Sequence, residues 1–237
     1  MEKKKTLACL KTGKVKVVGQ FTWGSNFAFL VDVHNGTEKI EAVYKPQRGE
    51  RPLWDFPEDT LAKREVAAFL VSEALGWDLV PPTAFREDGP LGPGSLQRRV
   101  DHDPEIHYFT FDAATRQRLR PVALFDLIVN NADRKGGHIL IDGDDKIKLI
   151  DHGICFHAEP KLRTVVWDFV DEEILDSLIK DIKSLKAKVQ SGLKKNLSLY
   201  LAEDEISALD GRITELLANP VFPAQPEGER ATPWPLI

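Results

Sequence analysis

The chain has 237 residues, of which 42% are hydrophobic, enough for a core in one domain or in two small lobes. Its formal net charge is −5, which argues against a general nucleic-acid binder, since such proteins need a basic surface. Two cysteines, Cys9 and Cys155, give no disulfide framework and favour a reducing, cytoplasmic location. No apolar run of signal-peptide or membrane-spanning length follows the basic residues 2–5, so we expect no stable membrane insertion.

The first part of the chain alternates between strand-like runs and polar turns. Residues 15–17 alternate as a strand, and a second strand is predicted over residues 27–31. Gly24, Ser25 and Asn26 lie in the loop between them. A glycine loop can fold over phosphates because its backbone N–H groups can approach oxygen atoms closely, although the pattern alone also fits an ordinary hairpin turn.

A strand and a helix follow. Residues 40–46 alternate as a strand ending near Lys45, and apolar spacing predicts a helix over residues 60–75, ended by Gly76 as a C-cap. Glu65 lies on the apolar face of this helix. A buried carboxylate needs a cation, because leaving it unpaired is costly, and Lys45 is one candidate partner. The other candidate partners are Lys63 and Arg64.

Further strands and helices are predicted along the rest of the chain. Residues 80–86 and 94–100 are extended, with a turn rich in glycine and proline between them. Helices are predicted by apolar spacing over residues 112–130, with an interruption near Pro121, and over residues 167–189 and 197–217.

Two acidic loops flank a predicted hairpin in the middle of the chain. Asp133 follows an apolar run that reads as the end of a helix, and Asp151 follows the short strand 148–150. Between them, residues 142–145 (Asp-Gly-Asp-Asp) form a strong turn signal that joins two apolar runs of strand length. Because the loops lie at the open end of one hairpin, we expect the two carboxylates to lie near one another.

The two loops together resemble those of the kinase superfamily, and more closely its phosphatidylinositol 3-/4-kinase and HipA-toxin branch than ordinary protein kinases. In that branch the catalytic Asp precedes an Arg, and the metal-binding Asp lies in Ile-Asp-Phe-Gly, followed by an aromatic residue. Asp133-Arg134 and Ile150-Asp151-His152-Gly153 with Phe156 match this pattern, except that His152 replaces the Phe. The resemblance covers residues 15 to about 156.

The resemblance implies a nucleotide site in the first part of the chain. It assigns the loop of Gly24, Ser25 and Asn26 to the phosphates of ATP, Lys45 to binding them and Glu65 to positioning that lysine. The order of strands resembles that leading into the hinge of the kinase fold. The backbone that binds the adenine edge would then lie near Gln97, Arg98 and Val100.

The resemblance also assigns roles at the acidic loops. Asp133, with Arg134 beside it, would accept the proton of the acceptor or orient it, and Asp151 would bridge Mg²⁺ or Mn²⁺ to the phosphates. Lys135 would stabilise the transferred phosphoryl group or stay solvated. His138 stands where the family has a metal-binding Asn, and its nitrogen suits Mn²⁺ or Zn²⁺ better than Mg²⁺. The alternative for His138 is a structural role.

We therefore expect an α+β protein with a small, atypical, two-lobed protein-kinase-like fold. A β-rich lobe with one helix is predicted over residues 1–100, and a helical lobe carrying the catalytic and metal loops over 101–220. A proline-rich tail is predicted over residues 221–237.

The expected function is that of a kinase resembling phosphatidylinositol 3-/4-kinases. It would use ATP and a divalent metal to transfer the γ-phosphoryl group to a hydroxyl of a protein, lipid or small molecule. His138 and the short helical lobe leave open a nucleotide-binding pseudokinase or regulatory module. Adenylyl transfer on the same fold is the further alternative.

Overall fold

The computed structural model describes residues 2–21, 26–226 and 230–237. An antiparallel five-stranded sheet makes up most of the first lobe, and the second lobe is mostly helical, as the sequence predicts. The strands are β1 Lys14–Phe21, β2 Ala28–Asn35, β3 Glu38–Pro46, β4 Thr83–Arg86, β5 Gly94–Arg98, β6 Ile139–Ile141 and β7 Ile147–Leu149. The helices are α1 Glu2–Thr12, α2 Leu61–Leu75, α3 Ala113–Gln117, α4 Arg120–Val129, α5 Asp176–Lys188, α6 Lys194–Leu197 and α7 Glu203–Ala218.

The sheet has the strand order β1-β2-β3-β5-β4 and is covered on one face by α1. Cys9 and Leu10 of α1 pack with Val31, Ala42 and Tyr44 of the sheet in a small core. The expectation of one helix before residue 100 was wrong, because α1 is a second helix there. Its charged sequence masks the short apolar stripe that the sheet buries.

The other face of the sheet packs on α2. This helix has the predicted extent and ends at Gly76, whose φ of 77° is a left-handed conformation that glycine adopts without a Cβ penalty. Apolar residues of α2, including Phe69 and Val71, share one core with the helical lobe. In addition, Arg64 forms a buried ion pair with Glu205 of α7, so α2 is fixed to both lobes.

The hairpin of β6 and β7 confirms the sequence prediction. Asp142 Oδ1 closes the turn by accepting hydrogen bonds from Asp144 N at 3.0 Å and Lys146 N at 2.9 Å. At the open end, Ile150 N donates to His138 O over 3.1 Å. The hairpin therefore holds the two acidic loops side by side.

The helical lobe departs from the predicted boundaries. Residues 112–130 form the two helices α3 and α4, with Pro121 in the first turn of α4. The predicted helix over 167–189 begins only at Asp176, because Asp171 has a φ of 62°, which an α-helix cannot contain. Phe169 and Ile174 are buried in loops, so their apolar spacing reflects burial and not a helix.

Residues 230–237 lie against the helical lobe. Ala231 O accepts hydrogen bonds from Thr164 N at 3.1 Å and from Trp167 Nε1 at 3.2 Å. The predicted lobe boundary near residue 100 and the separate tail remain predictions. Among the described residues, no helix combines the length and apolar character needed to cross a bilayer.

Candidate active site

Three charged side chains meet between the sheet and the helical lobe. Lys45 at the end of β3 forms an ion pair with Glu65 of α2, and its Nζ lies 2.9 Å from Asp151 Oδ1. Glu65 is buried, and its Oε2 accepts a hydrogen bond from His152 N at 3.0 Å. The structure thus selects Lys45 among the partners that the sequence left open for Glu65.

The charges of Lys45 and Asp151 stabilise each other. Burial by itself lowers the pKa of Lys45, but the carboxylates of Asp151 and Glu65 more than offset this effect and raise the pKa above its ordinary value. The positive charge of Lys45 in turn holds the pKa of Asp151 well below its usual range. At neutral pH the site therefore presents a fixed ammonium group beside a fixed carboxylate.

Asp133 lies on the neighbouring loop, where Asn131 fixes the backbone. Asp133 N donates to Asn131 Oδ1 at 2.9 Å, and Lys135 Nζ lies 3.5 Å from Asp133 Oδ2. Burial raises the pKa of Asp133 to about 6, with the charge of Lys135 acting against it and that of Asp151 acting with it. A carboxylate with this pKa can accept a proton near neutral pH.

Arg134 lies behind the loop and is completely buried. Its Nε lies 3.1 Å from Asp126 Oδ1, its Nη1 donates to Ile150 O at 2.8 Å, and its Nη2 lies 2.8 Å from His152 Nε2. These contacts join the Asp133 loop to the Asp151 loop. The guanidinium has no exposed surface from which to contact a substrate. Arg134 therefore positions the two loops, in place of the catalytic role that was expected from the sequence.

His138 faces the carboxylate of Asp151. Its Nε2 lies 3.3 Å from Asp151 Oδ2, and burial lowers its pKa to about 4, although Asp151 acts in the opposite direction. Its Nδ1 accepts a hydrogen bond of 3.4 Å from Lys135 N, which places the proton of the neutral ring on Nε2. A metal on Nε2 would require this proton to move to Nδ1 and the contact with Lys135 to open.

The donor set around Asp151 fits a divalent ion bound by few protein atoms. Within the described ranges no cluster of three or more histidine, cysteine, aspartate or glutamate side chains could hold a metal. Asp151 is half-exposed, and His138 Nε2, 3.3 Å from Asp151 Oδ2, would be the second ligand atom once its proton has moved to Nδ1. Mg²⁺ is commonly held by one or two carboxylates together with water and substrate phosphates, so this arrangement is compatible with a metal–nucleotide complex.

The phosphate side of the cleft is only partly described. Gly24 and Ser25 lie outside the described residues, whereas Asn26 is placed, and its Oδ1 accepts a hydrogen bond from Arg51 N at 2.7 Å. Asn26 and Lys45 line one cavity of about 100 Å³. Its other lining residues include Glu50, Glu65 and Asp151.

The predicted hinge residues differ in their surroundings. Gln97 is buried in β5 and its Nε2 donates to Thr83 Oγ1 at 2.9 Å, while Arg98 is exposed and its N donates to Pro82 O at 2.9 Å. Val100 follows the end of β5. In the part of the chain that the structure describes, no group accepts a hydrogen bond from Val100 N. Of the three, Val100 therefore has the backbone donor that is free for a ligand.

Two supporting acids were missed by the sequence analysis. Asp126 is fully buried in α4, where it holds Arg134 and accepts a hydrogen bond from Thr164 Oγ1 at 3.0 Å. A single carboxylate within an apolar helical run is the signal that could have identified it. Glu50 accepts hydrogen bonds from Leu61 N and Ala62 N at the start of α2 and had no such signal, because it lies in an irregular loop.

The sequence comparisons identify a family. No protein-family model matches the chain. The chain is 40% identical, over an alignment of 263 positions, to "Protein Rv2133c" of Mycobacterium tuberculosis (strain ATCC 25618 / H37Rv), with 96% of this chain and 94% of that protein covered. The chain belongs to the Rv2133c family. The alignment covers nearly the whole of both proteins.

Two plant proteins match a smaller part of this Rv2133c-family chain. It is 33% identical to "Phosphatidylinositol 4-kinase gamma 4" of Oryza sativa subsp. japonica and 32% identical to the protein of the same name from Arabidopsis thaliana. Each match covers 45% of this chain but only 22% and 23% of the respective plant proteins. The matches are therefore too short to assign the activity of those whole proteins to this chain.

Solved structures place the Rv2133c-family chain among kinase-like folds. The crystal structure of the Golgi casein kinase with Mn/ADP bound gives a TM-score of 0.58 at 15% identity and covers 91% of this chain and 74% of that one. The Helicobacter pylori proinflammatory kinase CtkA gives 0.54 at 9% identity, with 90% and 94% covered. These likenesses confirm the predicted two-lobed, kinase-like fold.

Proposed function

We propose that this Rv2133c-family protein is a kinase that uses ATP and a divalent metal to phosphorylate a hydroxyl group. One observation carries the proposal: Lys45 Nζ contacts both Glu65 and Asp151, while Asp133 stands on the adjoining loop with its pKa raised to about 6. This combination provides a fixed cation for phosphates, a carboxylate for a metal and a base for an acceptor.

One group of residues binds the nucleotide, and another would hold the metal. Lys45, held by Glu65, binds phosphate oxygens, and Val100 N donates to the adenine edge. Asp151, with His138 as its neighbour, would hold Mg²⁺ or Mn²⁺, which when bound neutralises the charge of the phosphates. These assignments rest on contacts of the free protein and on the chemistry of each donor.

Asp133 handles the proton of the acceptor. Its carboxylate accepts the proton of the attacking hydroxyl, while the hydroxyl oxygen forms a bond to the γ-phosphorus and the bond to the β–γ bridging oxygen breaks. Lys135, whose Nζ is 3.5 Å from Asp133 Oδ2, would stabilise the transferred group through its charge. Arg134 acts through position, because it fixes the loop that carries both residues.

The comparisons support this proposal at the level of chemistry. The Golgi casein kinase was crystallised with Mn/ADP, so a protein of similar fold binds a nucleotide and a divalent metal. The plant matches carry the name phosphatidylinositol 4-kinase and agree with the resemblance of the two acidic loops, although they leave the acceptor open.

A nucleotide-binding pseudokinase is the second candidate, and His138 favours it. The neutral ring carries its proton on Nε2, which lies 3.3 Å from Asp151 Oδ2, so a protonated nitrogen occupies the place where a metal ligand is expected. If Asp151 holds the metal poorly for this reason, the protein would bind nucleotide and transfer little phosphate.

The test is a comparison of nucleotide binding and phosphoryl transfer in three variants. We expect Lys45→Met to weaken ATP binding at least tenfold, and Asp133→Asn to keep binding while transfer falls at least a hundredfold. Lys14→Met, an exposed lysine of the same sheet, is the control and should change neither quantity. Binding without transfer in the unmodified protein would favour the pseudokinase, and an adenylyl instead of a phosphoryl group in the product mass would reassign the reaction.

A further inference from the structure

Residues 230–237, here called the strap, lie beside the catalytic loop. Ala231 O is bound by Thr164 N and Trp167 Nε1, and Leu236 O accepts a hydrogen bond from Gly136 N at 2.8 Å. Gly136 is the third residue after Asp133. The strap therefore crosses from the segment at Thr164 to the loop that carries the proposed base.

The loop at Gly136 packs closely on the Phe109 ring and lies in van der Waals contact with the end of the strap. A Cβ at Gly136 would come within 2.8 Å of the Phe109 ring and within 3.4 Å of Leu236 O. A Cβ at Gly137 would meet Ile237 Cγ2 at 3.6 Å. Because glycine has no Cβ, the main-chain N–H of residue 136 stays accessible to a carbonyl group.

The two ends of the strap are held differently. Ala231 and Pro233 are buried, whereas Trp234 and Ile237 are 74% and 59% exposed. Within the described part of the chain, Leu236 O to Gly136 N is the one hydrogen bond made by residues 234–237. These four residues therefore form a weakly held end that an incoming chain can replace without disturbing the buried anchor.

We propose that the phosphoryl acceptor is a polypeptide that binds in an extended conformation where residues 234–237 lie, with one of its carbonyl groups on Gly136 N. This inference rests on the proposed kinase function and names its substrate class. The chain's own residues 234–237 compete with that acceptor. The transferred group would go to a serine or threonine hydroxyl, whose proton passes to Asp133 as ADP leaves.

The mode of contact favours a polypeptide over a lipid. A main-chain N–H that receives the carbonyl of an extended segment is a common basis of peptide recognition, because any peptide supplies that acceptor. The exposed Trp234, Leu236 and Ile237 would also suit a membrane surface, so a lipid acceptor is the competing outcome of the test.

The first experiment removes residues 234–237 and keeps the buried anchor. Dephosphorylated casein, an unfolded polypeptide rich in serine, and vesicles containing phosphatidylinositol serve as acceptors for the full chain and for the truncated chain. We expect KM for casein to fall about two- to twelvefold on truncation, the equivalent of one net hydrogen bond, with kcat and ATP affinity unchanged. Transfer to the vesicles alone, or an unchanged KM for casein, would overturn the proposal.

The second experiment reads binding without catalysis. A fluorescent peptide with the sequence of residues 234–237 should bind the truncated chain at least fivefold more tightly than the full chain and shift the amide resonance of ¹⁵N-labelled Gly136. An ester between positions 236 and 237 weakens the carbonyl that Gly136 binds and should reduce the affinity severalfold, while an ester between 235 and 236 is the matched control. Absence of peptide binding would refute the peptide site even if kinase activity is found, whereas loss of ATP binding would refute only the proposed function.

Discussion

His152 Nε2 lies 2.8 Å from Nη2 of Arg134, and both side chains are fully buried behind the two acidic loops. Because a guanidinium can only donate, His152 Nε2 is the acceptor and the proton of the neutral ring is on Nδ1. Burial and the charge of Arg134 lower the pKa of His152 well below its ordinary value, which keeps the ring neutral. The histidine that stands at the place of the Phe in the kinase pattern is thus a polar link between the loop of Asp133 and the loop of Asp151.

Replacing His152 by the Phe of the kinase pattern should destabilise the fold. In His152→Phe an aromatic ring is kept, but Arg134 Nη2 loses its acceptor and becomes a buried, unsatisfied donor. We expect the free energy of unfolding to fall by about 1–3 kcal/mol. Urea unfolding measures this change, with His34→Phe, at an exposed position of β2, as the control. Equal stability of the variant and the unmodified protein would mean that Arg134 finds another partner.

The pH dependence of transfer should report Asp133. Since its pKa is raised to about 6, the carboxylate becomes protonated below this pH, and kcat/KM should fall about tenfold per pH unit there. Lys135 lowers this pKa, so Lys135→Met should move the acid limb to higher pH. The pH–rate profiles of both proteins give the comparison, with Lys146→Met in the exposed β6–β7 turn as the control. An acid limb near pH 4 in the unmodified protein would argue against Asp133 as the base.

Metal binding should distinguish the two roles of His138. An ordinary histidine would lose a metal as pH falls through about 6.5, but a pKa of about 4 keeps this ring neutral well below that pH. If His138 is a ligand, Mn²⁺ affinity in an Asp133→Asn background should hold between pH 7.5 and 5.5, and His138→Asn should shift the preference from Mn²⁺ toward Mg²⁺. If His138→Asn and His138→Ala keep the metal affinity and the metal preference of the parent, His138 is not a ligand and only forms hydrogen bonds.

Removing one partner of the Lys45–Glu65 ion pair should lower the free energy of unfolding more than replacing both partners together. Lys45→Met leaves the buried Glu65 carboxylate without its cation, so we expect a loss of about 1–3 kcal/mol of stability, less than for a fully buried pair because Lys45 is partly exposed. Adding Glu65→Gln should recover most of the loss. Thermal or urea unfolding of the two single variants and the double variant gives the coupling energy, and strictly additive losses would contradict the pairing.

The sequence predicted the elements whose signals are local. The hairpin turn at residues 142–145, the helix ended by Gly76 and the alternation of β3 all follow from turn chemistry and apolar spacing. The nearness of Asp133 and Asp151 followed in turn from the hairpin. The choice of Lys45 for Glu65 required the resemblance to kinases, because nearby Arg64 is an equally reasonable partner from spacing alone.

The features that were missed depend on contacts distant in sequence. Nothing near Arg134 indicates that its guanidinium is buried against Asp126 and His152, since an arginine beside a catalytic aspartate reads equally well as a substrate ligand. The strap has no periodic pattern of apolar residues. It is held by hydrogen bonds to its main-chain carbonyl groups, which any sequence would offer. By contrast, α1 did carry a signal, as Thr6, Cys9 and Leu10 share one face, but its many lysines outweighed it.

The ion pair of Arg64 and Glu205 has a consequence for control of the protein. This pair joins α2 to α7, and α2 also shares its core with the helical lobe. We therefore expect that α2 does not move outward on its own and separate Glu65 from Lys45. Amide protons in the middle of α2 should then exchange with deuterium only through global unfolding. A compound that binds by displacing this helix would have to break the buried pair, so we expect ligands of the cleft to bind beside Lys45 and Asp151 without moving α2.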